Sequence, residues 1–448
     1  MSPQPHARPD VYYFPSIRAT LYDALVINTP LCHLIPFESR IADIMDNPEA
    51  LIQQAEKLTA KGKSGWSFFG GSEEKYEQAA TCYRQAAQAY EIKGHSYGDF
   101  TAAVWRIVVV DFSIVLDAAA TYIKAADIQA NHLSDDFEAP DSYVHASDAY
   151  RRALMEEVKP LNDNEKAEAK AKAINCRKKA ITLTEKSTSS SKLRRLSRMY
   201  DAIGQINEND IAGPLVQARI DLLNSKKLKP EDKKRMNALA AEQQPTPQEA
   251  DELQWLQSKT AFNEQEKAHL KWLESEMLPP LQEARIAYKE AANFLRLDAP
   301  INANKLLTQY ADLGAFLATL LPHPTEKGNA KYNYYQEAID AYQSIIKFMQ
   351  SDPKHRFNLS TYYFKLCICI LAQCDFVGAP FTIETYQQMD TMYQQKYNLL
   401  FNLLQAIANK DPDGFDALVE GDQSLDKWQV TILDDVKNSI VVEDDEFA

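Results

Sequence analysis

Five segments of this chain repeat one spacing, Ala-x-x-x-Tyr-x-x-(Ala/Ile), and that repeat limits the possible folds more than any other feature. They are Ala79/Tyr83/Ala86, Ala118/Tyr122/Ala125, Ala146/Tyr150/Ala153, Ala284/Tyr288/Ala291 and Ala338/Tyr342/Ile345. Steps of four and three residues put the three positions on one stripe of an α-helix. Small residues beside a large ring let a neighbouring helix approach closely, with the ring filling the groove between them. Any amphipathic helix can produce one such match. Five of them point to stacked helical hairpins, each burying its apolar stripe against the next.

The rest of the chain agrees. Only 13 glycines in 448 residues, few strand-like alternations and many Ala, Gln, Glu and Lys favour helix throughout. The expected fold is all-α: a tetratricopeptide-like twisted array of antiparallel helical hairpins ending in a C-terminal helical bundle. Irregular intervals between the repeats imply interruptions. Residues 1–44 are rich in Pro and apolar residues without helical period, and read as a poorly ordered N-terminal extension. DNPEALIQQAEK, from Asp46, reads as a helix entry with Asn47 as N-cap and Pro48 in the first turn. The array is expected over 45–350, with atypical inserts at about 99–116, which is β-branched, and about 213–278, a polar stretch containing KKLKPEDKKR. Residues 351–448 are expected to form the bundle and an acidic tail.

Several classes of function are disfavoured. A formal net charge of −14 gives no overall positive field to attract phosphate, so no nucleic acid is expected as a partner. Of the six cysteines, Cys367, Cys369 and Cys374 cluster in the apolar run YYFKLCICILAQC, without the polar co-ligands or CxxC knuckles of a metal site. They read as buried thiols, and Cys32, Cys82 and Cys176 suggest no disulfide framework. The N-terminus lacks the build of a signal peptide. The most apolar run, residues 104–116, is too short to span a bilayer and carries Arg106 and Asp111. The expectation is a cytosolic protein, soluble or peripheral to membranes. His323 and His355 have no carboxylate or nucleophile at motif spacing, and no phosphate loop, zinc knuckle or serine elbow is present. The chain reads as a non-enzyme with no cofactor.

Three constellations remain. SGWSFFGG, residues 64–71, holds Trp66, Phe68 and Phe69 among glycines and serines that ordinarily mark a solvated loop. The rings can fold back as a staple on the first hairpin. They can equally enter a bilayer interface, where each buried ring contributes about 1.5–3 kcal/mol; Lys61 and Lys63 would favour anionic headgroups there. Lys192, Arg194, Arg195 and Arg198, in SSSKLRRLSRMY, form a basic stripe in an acidic chain. A solvated face is the ordinary reading of such a run; a docking face for an acidic partner is the other. At the C-terminus, LDKWQVTILDDVKNSI carries Leu425, Trp428, Ile432, Leu433 and Val436 on one helical stripe. Glu443, Asp444, Asp445 and Glu446 follow, then Phe447.

The aromatic loop before the first hairpin, the LDKW segment and the acidic end together resemble the alpha-SNAP (soluble NSF attachment protein) family. The closest stretches are LIQQAEKLTAKGKSGWSFFGGSEEKYEQAATCYRQAAQAY, DAAATYIKAADIQ and residues 425–448, with looser likeness through KLRRLSRMYDAIGQINEND and EARIAYKEAANFLRLDAPINANK. The resemblance covers about two thirds of the chain. It implies a monomeric adaptor that lies on assembled SNARE complexes, recruits and stimulates the AAA ATPase NSF, and so serves SNARE disassembly in vesicle fusion and intracellular transport. It assigns Trp66, Phe68 and Phe69 to membrane contact, the basic stripe with Lys305 to the SNARE bundle, and residues 443–447 to NSF. Phe447 stands where the family carries leucine. Two other readings stay open: a tetratricopeptide-like scaffold that binds a peptide in its groove, and a paralogue resembling gamma-SNAP with shifted partners.

Overall fold

Two elements never adjacent in sequence, the helix carrying the basic stripe and the helix carrying Tyr288, lie side by side, and this pairing organises the molecule. The computed structural model describes residues 47–63, 71–96, 112–155, 162–242, 246–322, 328–351, 359–390 and 394–445. All secondary structure among them is helical. In chain order the helices are α1 (Pro48–Lys63), α2 (Gly71–Ser96), α3 (Phe112–His132), α4 (Glu138–Met155), α5 (Asp163–Lys186) and α6 (Lys192–Gln205). A π-helical turn (Ile206–Ala212) runs on into α7 (Gly213–Ser225), followed by α8 (Pro230–Ala241), α9 (Pro247–Thr260) and α10 (Glu264–Leu295). Then come α11 (Pro300–Thr319), α12 (Ala330–Ser351), α13 (Leu359–Ala372), α14 (Ala379–Met389), α15 (Gln394–Ala408), α16 (Pro412–Gly421) and α17 (Lys427–Asp445). The chain divides into two compact units, Met1–Asn47 and Pro48–Ala448, and all seventeen of these helices belong to the second.

Each helix from α1 to α6 packs on the next in sequence, and so do α10 to α13. Between those runs α6 packs on α10, so α7, α8 and α9 are excursions from the stack. The polar stretch expected as an insertion is therefore helical: α7 lies along α10, and α8 pairs with α9. Pro279 and Pro280 sit inside α10, where Pro removes ladder hydrogen bonds. The β-branched stretch runs into a helix. Residues 112–116 form the start of α3, with Val115 buried in the core, and residues 99–111 lie outside the described ones.

The repeated alanines and tyrosines line the helix contacts. Tyr83, Tyr122, Tyr150, Tyr288 and Tyr342 are all buried, and their alanine neighbours are nearly or wholly so. Alanine at these positions permits axial separations near the lower end of about 8–10 Å. The hydroxyls are satisfied across helices rather than left in the groove. Tyr122 donates to Glu91 at 3.0 Å, Tyr288 to Glu208 at 2.6 Å, and Tyr342 to Asp312. Tyr83 and Tyr150 instead present their ring faces to Lys124 and Lys172, 5.5 and 5.7 Å from the centroids.

Beyond α10 the filling changes from alanine to Ile, Leu, Cys and aromatics, in one core that continues from α10 through α17. Helix α13 is buried at every residue from Tyr363 to Ala372, against α12, α14, α15 and α17. Cys367 and Cys369 are fully buried there, and burial pushes both thiols up. Cys82, Cys176 and Cys374 are likewise thiols outside any disulfide; burial pushes Cys176 up to about 11. Helix α17 closes this core. Ile432, Leu433 and Val436 are fully buried, and the Trp428 indole donates to the Asp312 carbonyl at 2.8 Å. Two ion pairs lie beside it. Lys331 pairs with Asp435 at 2.7 Å, and Asp435 also accepts from Tyr335 at 2.7 Å. Lys365 bridges both oxygens of Asp312 and lies 4.7 Å from the Trp428 ring. No helix among the described residues is long and apolar enough to cross a membrane.

Candidate functional site: a basic helix face

Helix α6 breaks a local rule. Its first turns carry Lys192, Arg194, Arg195 and Arg198 and no acidic residue, although the positive end of a helix dipole favours anions. Its N-cap, Ser191, sits in helical geometry and makes no side-chain capping bond. The apolar stripe Leu196, Met199 and Ile203 is buried against the stack, which forces the intervening residues outward.

The four cations then separate into roles. Lys192 reaches back to the Glu185 carbonyl at the end of α5, a favourable place for positive charge. Arg195 is nearly buried. It donates to the Phe137 carbonyl at 2.9 Å and to Asp141 at 2.7 Å, and its guanidinium lies over the Phe137 ring. Arg195 thus ties α6 to the start of α4. Arg194 meets Asp298 only at 3.6 Å, with both side chains largely in solvent. Arg198 is exposed and makes no ion pair among the described residues. Lys305 is exposed on α11, and its charge acts to lower the Asp201 carboxyl of α6, one turn on from Arg198.

Beside this face runs a polar seam that the sequence did not reveal. Arg151 of α4 pairs with Asp210 in the π-helical turn at 2.7 Å and reaches Gln205 at 3.4 Å. Gln205 in turn donates to Asp201 at 3.1 Å. Burial pushes the Asp201 carboxyl up, against the pull of Gln205, Lys305 and Arg151. The π-helical turn directs Asp210 to α4 and Glu208 to Tyr288 of α10. Gly204 makes that approach possible: a Cβ there would lie 2.5 Å from the Tyr288 ring. A hint existed in INENDIA, a polar run inside a helical pattern, but its partners lie 59 and 80 residues away.

Trp66, Phe68 and Phe69, together with Glu446 and Phe447, fall outside the described residues. Glu443, Asp444 and Asp445 are at the end of α17, described for backbone only. His323 and His355 are also outside. Among the described residues no His, Cys, Asp and Glu group is arranged to hold a metal.

The architecture is that of a helical-hairpin scaffold with a charged face. A family model, "Soluble NSF attachment protein, SNAP", matches residues 46–97 and 257–441. The chain belongs to the soluble NSF attachment protein family. It is 23% identical over 408 residues to a probable vesicular-fusion protein sec17 homolog of Neurospora crassa, covering 90% of this chain and 99% of that protein. The vesicular-fusion protein SEC17 of Komagataella phaffii is also 23% identical over 408 residues, covering 90% and 98%. The alpha-soluble NSF attachment protein of Saccharomyces cerevisiae is 32% identical over 121 residues, 25% of this chain and 40% of that one.

Proposed function

We propose that this chain is a non-enzymatic adaptor in vesicle fusion, which lies on assembled SNARE complexes and recruits and stimulates an NSF-type AAA ATPase to take them apart. The observation that carries the reading is the set of exposed basic residues on α6 and α11. In a chain of net charge −14, Arg198 on α6 and Lys305 on α11 stand exposed, and Arg194 is held only loosely. Charges without internal partners suit an external acidic surface, and would set register and association rate. Family membership and relatives named as vesicular-fusion proteins support the same reading. Trp66, Phe68 and Phe69 are proposed to hold the adaptor at the membrane that carries the SNAREs. Residues Glu443–Phe447 are proposed to engage the ATPase.

The test is reconstitution with liposome-anchored SNARE complex, an NSF-type ATPase and ATP. Lys192→Glu with Arg198→Glu and Lys305→Glu should abolish capture by the SNARE complex at moderate salt. Phe68→Ser with Phe69→Ser should impair disassembly on liposomes while sparing it in detergent. Deleting 443–448 should leave capture intact and lose ATPase stimulation. Undiminished capture by the triple variant would overturn the reading of the basic face.

A further inference from the structure

The insertion is not loosely appended. Its basic helix α8 is bonded through its side chains to α16 of the C-terminal bundle, with Lys233 and its partner Asp416 lying 183 residues apart in the chain. Lys233 meets Asp416 at 2.7 Å, and one turn on, Asn237 donates to Asp413 at 3.3 Å. Residues four apart on α8 thus reach residues three apart on α16 through their side chains. Just before α8, Lys227 approaches Asp434 of α17 at 3.7 Å. Asp416 is shared with Lys437 of α17 at 2.6 Å. Burial pushes the Asp416 carboxyl up, but its bonds to Lys233 and Lys437 outweigh this and hold it below its ordinary value. Glu420 and Asp413 also act on Lys233.

The two surfaces are complementary in charge. Residues 226–235 carry six basic side chains and two acidic ones, whereas residues 411–437 carry eight acidic side chains and two lysines. The hairpin has little core of its own, with Leu239 and Leu256 as its fully buried apolar residues. Two short helices so thinly packed depend on what they lean against. The contacts on α16 and α17 are polar and partly solvated, which makes them reversible and sensitive to salt.

We propose that the α8–α9 hairpin is an intramolecular cover over the acidic face of α16, which a partner presenting a basic protein surface must displace to reach the C-terminal bundle. In the adaptor reading that partner is the ATPase, but the cover rests on the contacts alone. It makes access to the bundle a competition between the basic segment of the insertion and an outside basic surface.

The probe is an octalysine peptide, titrated at low salt against three full-length chains by fluorescence anisotropy, with hydrogen–deuterium exchange mapping the site. The chains are the native protein, Lys227→Gln/Lys233→Gln, and Lys57→Gln/Lys347→Gln, which changes net charge equally at exposed sites elsewhere. The first variant should bind octalysine roughly fivefold to tenfold more tightly than the native chain. Octalysine should then slow exchange in residues 412–421 at concentrations that leave this segment unaffected in the native chain. The control should bind as the native protein does. Equal affinities for the two variants, or tighter binding without slowed exchange in 412–421, would overturn the proposal. Neither SNARE complex nor ATPase enters this measurement, so failure of the adaptor reading would leave its outcome unchanged.

Discussion

Helix α17 and the α8–α9 hairpin both rest on the C-terminal bundle, and they are held there by opposite means. Helix α17 is sealed by an apolar stripe and by Lys331–Asp435, in which the lysine side chain is 1% and the aspartate 8% exposed. The hairpin is held by Lys233–Asp416, at 28% and 17%, and by contacts more exposed still. The same chemical pair therefore has different consequences. Deep in the core, a charge without its partner is strongly unfavourable, so the pair enforces one arrangement. Near water either charge can be resolvated, so the contact selects an arrangement only weakly. The first is suited to permanent closure, the second to opening.

The sharpest way to break this contrast is Lys331→Ala. It takes the buried cation away from Asp435 and should cost about 3–5 kcal/mol, seen as a large fall in the urea midpoint by circular dichroism. Tyr335→Phe removes one donor to the same carboxylate while keeping Lys331, and should cost about 1–3 kcal/mol in the same assay. Lys233→Gln should cost no more than ~1 kcal/mol, with faster exchange confined to 230–241 and 412–421. A cost comparable to that of Lys331→Ala would erase the distinction between the two regions. The hairpin contact should also depend on pH. Because the folded carboxyl of Asp416 titrates below its ordinary value of 3.8, its contribution is full above that value and is lost as pH falls through the lower, folded one. Exchange in 412–421, corrected for the intrinsic rate, should therefore rise in acid.

Much of the fold was legible because helix periodicity is local. Ala79/Tyr83/Ala86 and its four counterparts share a face whatever the rest of the chain does, and all five tyrosines are buried. The apolar run of α13 likewise announced a core helix with buried thiols. Burial of the tyrosines did not disclose the partners of their hydroxyls. Glu91, Glu208 and Asp312 lie 31, 80 and 30 residues from their donors, and no spacing rule joins them. The basic cluster shows the same division. The sequence marked Lys192, Arg194, Arg195 and Arg198 alike, and only packing distinguishes Arg195, clamped to Phe137 and Asp141, from Arg198, left to solvent.

By itself, then, the sequence determined the helices, their buried stripes and the excess of acid at the C-terminal end, since these depend on neighbours within a few residues. The tertiary structure decided that α6 meets α10 across the insertion, and that KKLKPEDKKR turns back onto α16 and α17. Contacts of that kind are set by the path of the chain and by which surfaces remain uncovered once the core has closed. Pairing charges 183 residues apart requires both.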